Sequence, residues 1–274
     1  MRLFFIELKR SIMNKNMLIA LLIGVLIVMP HTISNYFGEI EYKEYISSMN
    51  ISSGADLTSL YGRWFGMSTD FLAVLFYYIL PILAVYPSAM IYFKDRKTGY
   101  VKNLYTRYSK SKCLVIKYIT TFISGGIAVF LPLLLSFMLT STYAPARIPD
   151  SLIMNAIVDK NMWSELFFTH PLLYTFGYLM IDFVFGGLFA CLAMSFSEFV
   201  KHRFSVFISS FLIVTAFGYI CVQLKIDHFN PQNFLSPAQL VASADGYVIL
   251  VEALILFIVS CLLFFVGGKL NETY

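Results

Sequence analysis

The sequence predicts an all-α membrane protein with six transmembrane helices, and three observations carry that expectation. Hydrophobic residues make up 58% of the 274 residues and charged residues only 13%, where a soluble domain carries roughly 25% charge. Apolar runs of about twenty residues, enough to cross a hydrocarbon core of about 30 Å, recur along the chain. Fifteen of the twenty Lys and Arg residues fall in alternate connectors between those runs, the pattern of cytoplasmic loops. Residues 1–274 read as a single membrane domain.

Met1–Asn16 interleaves Leu3, Phe4, Ile6, Leu8 and Ile12 with Arg2, Glu7, Lys9, Arg10 and Lys15. That mixture suits a short helix lying in the membrane interface, and equally an ordinary basic flank. No small-residue cleavage pattern follows, so this segment reads as retained. The first span is expected at about 17–36, with Pro30 near its outer end. Phe37–Ser68 reads as a polar outer loop with Glu39, Glu41, Glu44 and Asp56. The second span, about 69–93, contains Pro81 and Pro87. Each removes a backbone hydrogen bond, so this helix is expected to bend.

A basic connector occupies 94–112, and the third span follows at about 113–143. Gly125-Gly126 and Pro132 are its expected weak points. In Ala144–Thr169, Leu152, Ile153, Ala156, Ile157, Trp163, Leu166 and Phe167 recur at helical spacing. They predict an amphipathic helix on the outer interface, with Trp163 at headgroup level, or a lid on the outer mouth. The fourth span, about 171–197, contains Gly186-Gly187, small enough to admit a neighbouring helix. Glu198–Arg203 is a tight inner turn before the fifth span at about 204–222. Leu224–Gly246 is half apolar and broken by Pro231 and Pro237. It is too short to cross, and an outer re-entrant segment packed against protein fits it best. The sixth span is expected at about 247–266.

With six spans both termini lie on one side. The N-terminal segment, the connector with Lys117, the 198–203 turn and the tail hold the fifteen basic residues, and the outer segments hold five. Both termini are therefore expected in the cytoplasm.

Several chemistries find no support. Gly267-Gly268-Lys269 lacks the first glycine and the spacing of a phosphate-binding loop, so this chain is not expected to bind ATP. Neither HExxH nor GxSxG occurs, and His31, His170, His202 and His228 are scattered. The four cysteines form no CxxC pair and read as small buried hydrophobes. No catalytic site, bound cofactor, metal or nucleic-acid partner is expected.

The connector Lys94–Lys112 holds seven Lys and Arg in nineteen positions. Charge alone would place it on anionic lipid. Val101, Leu104, Tyr105 and Tyr108 add one apolar face of a short helix, of the kind offered to a protein groove. The run Asp95-Arg96-Lys97-Thr98-Gly99-Tyr100-Val101-Lys102-Asn103-Leu104 resembles the acidic-x-x-[Thr/Ser]-Gly-x-x-x-x-Leu connector of type-2 ABC exporter permeases, with Asp95 standing for the usual Glu. A Lys early in the third span, here Lys117, is also similar. The motif covers about twenty residues, and the layout nearly the whole chain. The resemblance implies a coupling helix at Asp95, Arg96, Thr98, Gly99, Val101, Leu104, Tyr105 and Tyr108, docked on a separate ATP-binding subunit dimer that holds ATP and Mg. It implies a second permease, identical or a sister chain, an interfacial elbow helix and re-entrant helices between spans five and six. The function it implies is export across a bacterial cell membrane.

Three acidic residues fall within or beside the spans. Asp182 sits mid-span in YLMIDFVFGG, where a charge costs about 2.5–3.5 kcal/mol on insertion scales. It reads equally as part of a substrate path and as a hydrogen-bonded link between helices. Glu252 and Asp70 lie near outer span ends, where reaching the headgroups is the simpler reading. All three facing one cavity would favour a cationic substrate. A stand-alone secondary transporter and a non-transporting, peptide-binding immunity protein are the competing readings.

Overall fold

The computed structural model describes residues 2–48, 59–149, 161–241 and 244–270. These residues form helices and turns, with no strand among them. Among the described residues six helices are long and apolar enough to cross a membrane: Lys15–Ser48, Phe71–Lys97, Lys110–Thr140, Pro171–Phe196, Arg203–Leu224 and Gly246–Gly268.

An N-terminal helix α1 (Arg2–Ile12) precedes α2 (Lys15–Ser48). Its Leu3, Glu7 and Ser11, four residues apart, form the buried stripe, while Phe5 and Ile6 are exposed on the other side. Helix α2 does not stop at residue 36. It continues for 34 residues, about 51 Å at 1.5 Å per residue. Hydropathy falls after Tyr36, but helical order does not. Lys43 and Glu39, one turn apart, pair at 3.4 Å, which supports a polar helix. The first part of the expected outer loop is therefore helical, and its 49–58 portion lies outside the described residues.

A short α3 (Leu60–Arg63) and a single turn of 3-10 helix, Phe65–Met67, lead to α4 (Phe71–Val85) and α5 (Ala89–Lys97). The expected bend is resolved between the two prolines. Pro81 lies inside α4, and the chain breaks at 86–88, around Pro87. Helix α6 (Tyr100–Tyr105) is the connector helix. Helix α7 (Lys110–Thr140) then runs unbroken through Gly125, Gly126 and Pro132, so the expected weak points are not breaks.

The glycines have a packing role instead. A Cβ on Gly125 would stand 2.4 Å from the Ala190 Cβ and 2.8 Å from the Gly186 carbonyl oxygen. Helix α9 (Pro171–Phe196) lies against α7 at backbone contact, as small residues allow. α9 is the centre of the bundle. It touches α4, α7, α10 (Arg203–Leu224) and α12 (Gly246–Leu270), and 72% of its apolar window is buried against 28% for α12.

At the far end, α8 (Ser164–Thr169) and α11 (Pro231–Phe234) close the bundle. Leu152–Ile157 lie outside the described residues. Phe167 is fully buried beside Tyr174, with ring centroids 5.0 Å apart, so this part of the expected interfacial face turns into the core. Trp163 is partly exposed and crosses Tyr178 edge-on. Lys225, in the left-handed region, ends α10. Beyond it, Asn230 caps α11 through the Gln232 amide at 3.1 Å. Phe234 reaches Phe185 with centroids 5.2 Å apart, roughly 21 Å along α9 from its start.

Candidate functional site

The connector and its surroundings form a charged cluster at the end of the bundle shared by α1, the 198–203 turn and the last turns of α12. Thr98 and Gly99 end α5: their amides donate to the carbonyls of Lys94 and Arg96. Gly99 has φ +76°, a backbone state that costs other residues roughly 1–2 kcal/mol. It redirects the chain into α6, whose Asn103 amide returns to the Gly99 carbonyl.

Asp95 and Arg96 are neighbours in sequence but engage opposite sides of the bundle. Asp95 is buried. It accepts hydrogen bonds from Arg10 at 2.7 Å and from Lys117 at 2.9 Å. Lys117 also donates to Glu7 at 2.5 Å, and Tyr100 donates to Glu7 at 3.1 Å. Two carboxylates and two cations thus balance among α1, α5 and α7. Burial works against the Arg10 charge, but the hydrogen bond and charge of Asp95, with Glu7, outweigh it and raise its pKa. Burial raises the Tyr100 pKa, and the charge and hydrogen bond of Glu7 add to it. The phenol therefore stays neutral and donates.

Arg96 turns the other way. It pairs with Glu198 at 3.1 Å and donates to the Ser197 carbonyl, while Tyr92 donates to Glu198 at 2.5 Å. This second cluster fixes α5 to the α9–α10 turn. Glu198 in turn packs beside Gly267, near the end of α12.

The apolar face of the connector packs within the chain. Val101 is buried among Ala89, Leu114 and Tyr118. Leu104, Tyr105 and Tyr108 pack on Leu3, Cys113 and Ile116. The chain's own α1 and α7 pack against this face, burying Val101 and partly burying Leu104, Tyr105 and Tyr108. Tyr108 lies beyond the end of α6. What α6 and its flanks expose is polar: Lys97, Thr98, Lys102, Asn103, Thr106 and Arg107.

The three acidic candidates lie at the start of α4, in α9 and in α12. Asp182 is fully buried in α9, and neither carboxylate oxygen has a hydrogen-bond partner. Glu252 was expected to reach the headgroups. It is buried instead, on the side of α12 that carries it within electrostatic reach of Cys221 on α10, and its Oε1 is unpartnered. Asp70 is exposed at the start of α4, 2.7 Å from His31 on α2. Among the described residues no group of three His, Cys, Asp or Glu side chains is arranged to hold a metal ion.

Glu7, Arg10, Tyr100 and Glu198 were not singled out by sequence reasoning. One signal was present: Lys117 falls within an apolar run, and a buried cation requires a counter-charge. No protein-family profile matches this chain, and no curated protein or solved structure matches it.

Proposed function

We propose that this chain is the permease subunit of an ABC exporter in a bacterial cell membrane, driven by a separate ATP-binding subunit dimer. One observation supports this reading above the others. The connector is clamped on one side to α1 and α7 through Asp95, and on the other to the α9–α10 turn through Arg96. Its polar face is left exposed. A push on that face moves four helices together, which is what a coupling element needs. The likeness of Asp95–Leu104 to the type-2 exporter connector and the concentration of Lys and Arg at this end, which the positive-inside rule puts in the cytoplasm, point the same way. On this reading α1 is the interfacial elbow, 225–246 is the re-entrant segment, and two permease chains enclose the path. The substrate is a peptide, a drug or a lipid-like molecule. Mg and ATP bind on the partner.

The docking face is the exposed one, so the informative substitutions are Asn103→Glu with Arg107→Glu, not changes at the packed Leu104 and Tyr105. The tagged chain is purified from its native membranes in mild detergent, and Mg-dependent ATP hydrolysis is assayed in the eluate. Activity that co-purifies with the wild type and is lost from the double variant, at unchanged elution volume, is the expected result. No ATP hydrolysis with either chain would overturn the reading.

A second reading has one observation in its favour. The unpartnered Asp182 is the kind of buried carboxylate on which ion-coupled transporters depend. Substrate uptake or efflux by the chain alone in vesicles, collapsed by dissipating the proton gradient, would establish it.

A further inference from the structure

We propose that the cleft between α7 and α12, continued to the basic end of the bundle, binds one anionic phospholipid. Its phosphate meets Lys112 and an acyl chain lies along α7. The inference goes beyond the transport reading and does not rest on it, because it asks only that the six spans lie in a membrane.

Two helices that pack on a third need not close on each other. Both α7 and α12 lie against α9. They meet at Tyr118, whose hydroxyl is 2.7 Å from that of Ser260. Beside that contact a cleft of about 560 Å³ remains, with Val184 and Leu188 of α9 between its walls. α7 lines it with Val115, Ile119 and Phe122, and α12 lines it from Leu250 to Phe265. No charged side chain lines this stretch, and the Tyr118 hydroxyl is already committed to Ser260. Val115, Ile119 and Leu254 are exposed, so the cleft opens sideways to the surrounding apolar phase.

Val115 also belongs to a second cleft, of about 610 Å³, lined by Phe4 and Phe5 of α1 and by Ser111 and Lys112 of α7. The two clefts form one path, apolar along its length and ending at a cation. From Lys112 to Phe122 is ten residues of helix, about 15 Å, half of a hydrocarbon core of about 30 Å. The path is one leaflet deep.

Its section decides between occupants. α12 advances about 22 Å from Leu250 to Phe265, so about 560 Å³ averages about 25 Å² across. A helix 10 Å in diameter occupies about 80 Å². A polymethylene chain, a single file of carbons, fits where a helix of a second copy does not.

The chain gives no preference between lipids, because the bilayer interior is as apolar as the cleft. The head group does. Lys112 is exposed and makes no ion pair among the described residues. Glu7, Asp95 and Glu198, the acids described at this end, are each paired with a cation of the chain. None is left for the ammonium of a zwitterionic head. A phosphodiester without its own amine is the complement of this end.

The test is native mass spectrometry of the purified full chain, delipidated in detergent and titrated with equimolar dioleoyl phosphatidylglycerol and dioleoyl phosphatidylethanolamine. One phosphatidylglycerol is expected to bind at least about fivefold more tightly than the phosphatidylethanolamine and than any further phosphatidylglycerol. Lys112→Glu should weaken this first site about fivefold or more. Lys201→Glu, which reverses an exposed cation on the α9–α10 turn, should leave it unchanged. Val115→Trp fills the junction of the two clefts from an exposed position and should remove the site at unchanged elution volume. Glycerophosphoglycerol, the same head without chains, should not compete. Equal affinity for the two lipids would overturn the proposal, as would equal losses from Lys112→Glu and Lys201→Glu. Competition by glycerophosphoglycerol would reduce the site to a phosphate contact and overturn it too. A Val115→Trp chain that keeps the lipid but loses a dimer would give the cleft to a second copy instead. If Val115→Trp does not fold, the comparison of Lys112→Glu with Lys201→Glu still decides.

Discussion

Asp95 and Lys117 meet at 2.9 Å inside the charged end of the bundle, both side chains more than nine-tenths buried. The pair joins the end of α5 to the first third of α7. With Glu7 and Arg10 it forms a neutral four-charge group, in which each cation has an acid close by and neither acid is left alone.

Lys117→Met removes the cation that both acids share. Glu7 and Asp95 then remain buried with only the half-exposed Arg10 between them. Breaking a buried pair costs about 3–5 kcal/mol, so a large drop in melting temperature in detergent is expected. Lys117→Arg is not expected to rescue it, because the planar guanidinium does not fit a site shaped for a point charge. A Lys117→Met protein that melts with the wild type would show that the cluster contributes nothing net.

Arg96 and Glu198 are expected to couple. In a double-mutant cycle with alanine at each position, the two stability losses should fall short of adding by about 0.5–3 kcal/mol. Arg96→Ala leaves the buried Glu198 carboxylate without its Arg96 partner, whereas Glu198→Ala leaves a part-exposed Arg96 that still donates to the Ser197 carbonyl. Arg96→Ala should therefore cost more than Glu198→Ala. Additive losses would mean that α5 and the α9–α10 turn are held together by other contacts.

The charge pairs mark the limit of what the sequence disclosed. The six spans were legible because hydropathy reports burial in lipid directly. The basic connector was legible because its seven charges are contiguous. Periodicity placed Val101, Leu104 and Tyr105 on one face, but a face does not say what covers it, and here α1 and α7 do. Asp95 and Arg96 lie about 100° apart around one helix, which is enough to send them to different partners 85 and about 102 residues away in sequence. No local pattern encodes such distances. Helix 37–48 was missed for the opposite reason: it is polar, and hydropathy marks the membrane edge but not the helix end.

Gly125→Leu should separate α7 from α9. Even a single Cβ at this position falls within 3 Å of Ala190 and of the Gly186 carbonyl, and backbone oxygen cannot rotate away as a side chain can. Overpacking of this kind costs about 1–3 kcal/mol or more. α9 contacts four of the other spans, so the shift propagates through the bundle. The expected result is loss of the monodisperse peak on fluorescence-detected gel filtration. Gly38→Leu, where an added Cβ meets nothing within 4 Å, is the control expected to leave that peak unchanged.

Gly99 is expected to separate stability from coupling. Its φ of +76° penalises any residue with a Cβ, yet a Cβ there would contact nothing within 4 Å. Gly99→Val therefore brings backbone strain of roughly 1–2 kcal/mol without a clash. That strain falls on the junction between α5 and α6, because the Gly99 amide closes α5 and its carbonyl receives the Asn103 amide. The six spans are packed elsewhere and should melt close to the wild-type temperature. The amides of residues 100–105 should exchange with deuterium markedly faster, and any ATP hydrolysis that co-purifies with the wild type should fall. Gly99→Asn, whose short polar side chain tolerates the left-handed region, should fall between the two. A Gly99→Val chain with wild-type exchange at 100–105 would show that α6 is held by Val101, Leu104 and Tyr105 alone, and that the turn is not what orients it.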